Sequence, residues 1–236
     1  MWPDEIELFA ITDPISRVNA LLSGDIHVAA DIDATAVKQV GAQDHVEMWP
    51  QPAVTWPGIC CLLDRYRGNN EDFVCAMKYL SNRKRIVRSI LKGYGTIGND
   101  HPIGSAYGAD HCEALPQRDI DLDNAAFHLK KSGITEAEIE AAPVSSGIMD
   151  ACLMQQANAA KRGLDLKIKR VPTDGLWSTG WQQKPLNVTG WKNDRFDQLL
   201  VEAHGVKDMG VREEMYGEME QLAADGSGVF IPYFSN

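Results

Sequence analysis

The sequence predicts an α/β chain. Helix-like and strand-like segments interleave along its length, and glycine, proline or a capping residue marks most of the junctions between them. With 236 residues, 44% of them apolar, the chain can bury a core as one large domain or two small ones, and general disorder is excluded.

The elements follow in order. Ile6–Ile11 reads as a strand, rich in branched and aromatic side chains. Asp13 before Pro14 reads as an N-cap with proline in the first turn. Val18, Leu21 and Leu22 keep helical spacing, and Gly24 closes the helix. Ile26–Ala30 suggests a second strand and Asp33–Val40 a short helix. Extended segments at 46–49 and 55–63 follow, punctuated by Pro50, Pro52 and Pro57, a crossover between subdomains. A helical pair comes next: Phe73, Met77 and Leu80 line the first, and Ile86, Val87, Ile90 and Leu91 the second, with Asn82 as its cap. Residues 93–118, rich in Gly, Pro and His, read as a long ordered loop. Helices at Asp121–Ser132 and Met149–Arg162 end at Gly133 and Gly163, and the second runs into an alternating strand through Leu164, Leu166 and Ile168. Helices at Asp194–Ala203 and Val211–Ala224 precede an apolar strand, Val229–Phe234.

Charge narrows the function. With 33 acidic and 23 basic residues the net charge is −10, which repels a phosphate backbone, and the densest basic run, Arg83-Lys84-Arg85 with Arg88, is short. Nucleic acid is excluded as a partner. No stretch approaches the roughly 20 apolar residues that span a bilayer. The opening Met1-Trp2-Pro3-Asp4-Glu5 is not a secretory leader, so the protein is cytosolic or its numbering starts after a removed segment. Cys60, Cys61, Cys75, Cys112 and Cys152 lack the spacing of a disulfide framework and favour a reducing compartment.

Three motifs fail on context. Gly93-Tyr-Gly95-Thr-Ile-Gly98 spells a dinucleotide fingerprint, but it follows a helix where the mechanism needs a strand, so it reads as a helix end running into a glycine loop. Asp119, Asp121 and Asp123 resemble the start of a calcium loop, yet Asn124 and Lys130 occupy the positions that need glycine and glutamate. Asp121 reads instead as an N-cap. His101, His111, Cys112 and Glu113 share one loop, but their spacing matches no standard zinc pattern, and no metal site is assigned. The same loop offers a cysteine–histidine pair with nothing to orient the base, so no catalytic residue is assigned either. Trp177, Trp181 and Trp191, with Asp174 and two glycines nearby, read either as partly buried core or as the rigid apolar wall of a ligand site.

Several longer patterns combine. Asp13-x-x-x-Arg17-Val-Asn-Ala20-Leu21-Leu-Ser-Gly24 resembles an element of the peptide/nickel class of ABC-transporter solute-binding proteins. So do Phe73-x-x-Ala76-Met-x-Tyr79-x-x-Asn82-Arg83-x-x-Ile86-Val87 and Asp121-x-x-x-Ala125-x-x-x-Leu129-x-x-x-Gly133. Gln155–Ile168, Arg212-x-x-x-Tyr216-x-Glu218-x-x-x-Leu222 and Val229-x-Ile231-Pro232 continue the pattern in the family's order. His27 and Val74 depart from it, standing where the family usually has aspartate and arginine, and the stretch between Pro185 and Lys192 is short.

The resemblance implies a periplasmic-binding-protein-like lobe of the class II type, with a mixed sheet flanked by helices. It is incomplete relative to the two-lobed family: residues 1–52 would be the end of lobe I and the crossover, and 53–236 lobe II. It implies a periplasmic receptor that closes on a small peptide or other small solute and presents it to an ABC-transporter permease, with no cofactor and no enzymatic step. Asp174, Trp177 and Trp181, with Tyr107 from the long loop, are then the candidate ligand-binding residues. Two other functions compete with this: a thiol-dependent hydrolase using the Cys/His loop, and a module that self-associates through an exposed lobe interface.

Overall fold

The computed structural model describes residues 3–52, 54–173 and 189–235. The chain divides into two compact units, residues 1–49 and 50–236. In the first, Asp13 accepts a hydrogen bond from the Ser16 backbone N–H at 2.7 Å and starts helix α1 (Pro14–Ser23), while Gly24, at φ 83°, ends it. Arg17 donates to the carbonyls of Ile11 and Asp31, each at 2.8 Å, and so ties both flanking segments to the helix. A single turn, α2 (Val37–Val40), buries both of its valines.

The expected strands at Ile6–Ile11 and Ile26–Ala30 do not form. A strand is stable only when its backbone is paired and one face is covered. Leu8 is 93% exposed and Val28 83%, so branched composition here has no partner surface to act on.

The second unit carries the rest. Helix α3 (Glu71–Tyr79) is capped by Asn70, and α4 (Arg83–Arg85) by Asn82, before passing into a π-helical stretch at Ile86–Ile90. Asp121 accepts from the N–H groups of Asp123 and Asn124 at 3.1 and 2.9 Å and begins α5 (Leu122–Ser132), in keeping with its reading as a cap. Helices α6 (Ile148–Ala160), α7 (Asp194–Ala203) and α8 (Met209–Gly226) follow.

Strand pairing is mixed. β1 (Ile59–Cys60) runs antiparallel to β5 (Val229–Phe230), and β2 (Gly95–Ile97) antiparallel to β6 (Tyr233–Ser235). β3 (Glu136–Ala141) and β4 (Asp165–Arg170) are parallel, joined through α6. Pro232 lies between β5 and β6, where the sequence suggested one continuous strand, because proline removes a ladder donor.

The core lies where α3, α5 and α6 meet β3 and β4. Phe73, Met77, Leu80, Leu129, Ile148, Leu164, Leu166 and Phe230 are all buried there. Each such side chain contributes about 1.5–3 kcal/mol on burial. Two buried amides satisfy the end of α3: Gln155 donates to the Met77 carbonyl at 2.5 Å and Asn158 to that of Leu80 at 2.9 Å. Both project from α6 at helical i, i+3 spacing, so they also fix its register against α3.

The glycine string serves strand packing. Gly98 donates to the Pro232 carbonyl at 3.1 Å, and a Cβ built on it would stand 2.1 Å from the Ile231 carbonyl oxygen. No phosphate is needed to explain that glycine. Gly98→Ala should therefore force β2 and β6 apart, at about 1–3 kcal/mol. Urea unfolding measures it, and an unchanged midpoint would contradict the packing described.

Candidate functional site

Of the residues the sequence singled out, Asp174, Trp177 and Trp181 lie outside the described residues. Tyr107 sits in a 3-10 turn (Ser105–Asp110) and is 41% exposed. The third tryptophan of that stretch, Trp191, is a packing residue. Its ring meets Phe196 edge-on at 5.1 Å and closes over Gly226, where a Cβ would stand 3.1 Å from its Nε1.

A cavity of about 560 Å³ lies between β1 and β3. Phe73, Met77, Ile148 and Phe230 are among its apolar lining, and Arg65, Arg67, Glu138 and Glu140 supply charge. Arg67 also pairs with Glu136 at 3.1 Å. An apolar surface with a few charged groups can hold a small solute that has both characters. Its thiols are not nucleophiles at neutral pH, because burial pushes Cys60 and Cys61 up to about 12 and Cys152 up to about 11.

A thiol–imidazole pair does exist, but not in the loop where sequence reasoning looked for it. Cys75 Sγ lies 3.5 Å from His128 Nε2, and His128 Nδ1 lies 2.8 Å from Asp72. Asp72 also receives Lys131 at 3.0 Å, and both partners hold its carboxyl below the usual range. The trio links α3 to α5. Burial raises the Cys75 thiol, so the protonated form prevails at neutral pH and the contact acts as a clasp between helices.

The long loop is held from below by a buried ionic network. Arg83 Nη2 donates to both oxygens of Asp100, at 2.7 and 2.6 Å, and Arg118 Nη1 donates to the same carboxylate at 2.8 Å. Asp100 also accepts the Ile231 N–H at 3.1 Å. Arg83, part of the densest basic run in the sequence, therefore anchors structure. Beside this network, His101 and His111 come together with Glu220 of α8. Cys112 donates its backbone N–H to both Glu220 oxygens, at 3.2 Å each. Burial brings His101 down to about 4, helped by the neighbouring His111, and pushes Glu220 up to about 7. His101 is thus neutral at pH 7, and its approach to Glu220 is not an ion pair. Sequence proximity had paired the histidines with Cys112 and Glu113. The partner that the fold supplies is over a hundred positions away, and nothing in the spacing of the loop could reveal it.

A family model described as bacterial extracellular solute-binding proteins, family 5 Middle, matches residues 2–199. No curated protein matches the chain by sequence. Among solved structures, the oligopeptide-binding protein AppA of Bacillus subtilis in complex with a nonapeptide is similar at a TM-score of 0.81 and 16% identity, covering 95% of this chain and 53% of that one. NikZ of Campylobacter jejuni in complex with Ni(L-His) is similar at 0.80 and 16%, covering 95% and 54%. The ABC transporter-associated periplasmic binding protein DppA of Helicobacter pylori, in complex with peptide STSA, is similar at 0.74 and 17%, covering 95% and 50%. The chain spans about half the length of these structures. Among the described residues, no helix is long and apolar enough to cross a membrane.

Proposed function

Because this chain belongs to the family 5 bacterial extracellular solute-binding proteins, we propose that it is part of a receptor that captures a peptide-like or other small solute between two lobes and delivers it to an ABC-transporter permease. The match of the family model to residues 2–199 carries this reading. On it, residues 1–52 supply the end of lobe I and 53–236 most of lobe II, and the receptor works in the periplasm. Closure of the lobes buries the solute and distinguishes the loaded form for the permease. No bond is made or broken in this reading, and the thiols of Cys60, Cys61 and Cys152 stay protonated at neutral pH.

Asp174, Trp177 and Trp181 form the lobe II wall in this proposal, with the carboxylate pairing the amino group of a peptide and the indoles covering its side chains. Tyr107, exposed on its 3-10 turn, is a secondary contact. In the complete two-lobed protein, Trp177→Ala/Trp181→Ala should abolish thermal protection by a di- to nonapeptide pool that protects the wild type. Equal protection of both proteins would refute the assignment.

A further inference from the structure

The geometry points to a resident site for a divalent transition metal of the zinc class, built by His101, His111 and Glu220. It goes beyond solute capture and holds whatever solute the protein carries. Nδ1 of His101 lies 3.6 Å from Glu220 Oε2, and Nδ1 of His111 lies 3.7 Å from the same oxygen. One ligand atom from each of the three residues falls within 4.8 Å of the others. These gaps are too long for hydrogen bonds. They suit atoms that share one ion, since metal–ligand bonds of about 2.1 Å in a tetrahedral site place ligand atoms roughly 3.4 Å apart.

A second observation concerns the burial of one of these ligand atoms. His101 is 2% exposed, and its Nδ1 is buried with no hydrogen-bond partner. A buried polar atom left in that state requires an explanation, and an ion between it and Glu220 supplies one. The surroundings are those of a supported ligand set: both Glu220 oxygens are oriented by the Cys112 N–H, and the two imidazoles stack at 5.9 Å. His111, with its side chain 22% exposed, is the solvent-facing ligand and gives the ion a way in.

Two imidazoles and a carboxylate are the donors of zinc sites that keep water in the fourth position, and they disfavour calcium and magnesium, which prefer all-oxygen shells. His111 Nδ1 also lies 3.1 Å from the Ile103 carbonyl oxygen. Ion capture therefore requires the Nε2–H tautomer, with the Nδ1 lone pair turned from that carbonyl to the metal. The ion would pin the long loop to α8, alongside the existing Arg212–Asp110 pair at 3.0 Å.

The test uses the full chain, stripped with a chelator and titrated with zinc chloride by calorimetry, then with cobalt chloride by visible absorption. Expected results are one Zn²⁺ per chain, a raised melting temperature, d–d bands of a four-coordinate Co²⁺ site, and no response to Mg²⁺ or Ca²⁺. His111→Ala at the rim should weaken Zn²⁺ binding by roughly 100-fold or more while leaving the circular dichroism unchanged, and Glu220→Gln should do the same. If Glu220→Gln does not fold, His111→Ala decides alone. Absence of Zn²⁺ binding, or equal affinity in His111→Ala, overturns the site.

Discussion

Replacing Asp100 with alanine is expected to destabilise the larger unit by about 3–5 kcal/mol, the cost of leaving a buried charge without its partner. Asp100 is 1% exposed and Arg83 2%, so water cannot take the carboxylate's place. The substitution removes the acceptor for Arg83, Arg118 and the Ile231 N–H together. It also puts alanine at φ 65°, a left-handed conformation that aspartate tolerates better. The consequence reaches the site, because His101 follows directly and the loop that carries Tyr107 and His111 starts there. Urea unfolding of Asp100→Ala, Arg83→Met and the double variant measures the effect. The double variant should lose less than the sum of the singles, since neither charge is then left alone. A loss below about 1 kcal/mol in Asp100→Ala would show that the network carries no net stability.

Lys78→Met should cost about 3 kcal/mol, with a pH dependence that identifies its cause. The ammonium is 1% exposed and donates to the carbonyls of Ala224 at 2.8 Å, Asp225 at 3.4 Å and Ser227 at 2.7 Å. Those carbonyls end α8, where unpaired acceptors and the negative end of the helix dipole gather. Methionine keeps the length of the side chain but leaves the acceptors without their donor. Burial pushes the Lys78 ammonium from its usual 10.5 down to about 8. Between those values the unfolded chain holds a proton that the folded chain has released, so the contribution of this lysine to stability rises with pH across that window. The slope is at most about 1.4 kcal/mol per pH unit. The stability gap between wild type and Lys78→Met, measured in urea at pH 7 and again at pH 9.5, should widen. A gap that narrows would mean that the charged form is the one the fold prefers.

Local signals were legible wherever a short segment determines its own geometry. The caps at Asp13, Asn82 and Asp121 and the glycine ends at Gly24 and Gly133 read correctly, because a side-chain oxygen three residues ahead, or a free φ, suffices. Strands were harder. Ile6–Ile11 had the composition of a strand and found no partner, whereas Glu136–Ala141, poor in β-forming residues, became β3 because β4 lay beside it. Its glutamates are exposed and alternate with Ala137, Ile139 and Ala141, a pattern that the sequence analysis left unassigned.

The order of helices, strands and punctuation by itself determined the α/β class and the resemblance to solute-binding receptors, since both rest on patterns that each segment carries alone. Only the tertiary structure decided that Arg83 neutralises Asp100, that Lys78 closes the end of α8, and that Glu220 meets two histidines from a distant loop. Those partners are brought together by packing, and no local rule of spacing encodes a contact between side chains 17 positions apart, still less one between residues separated by more than a hundred.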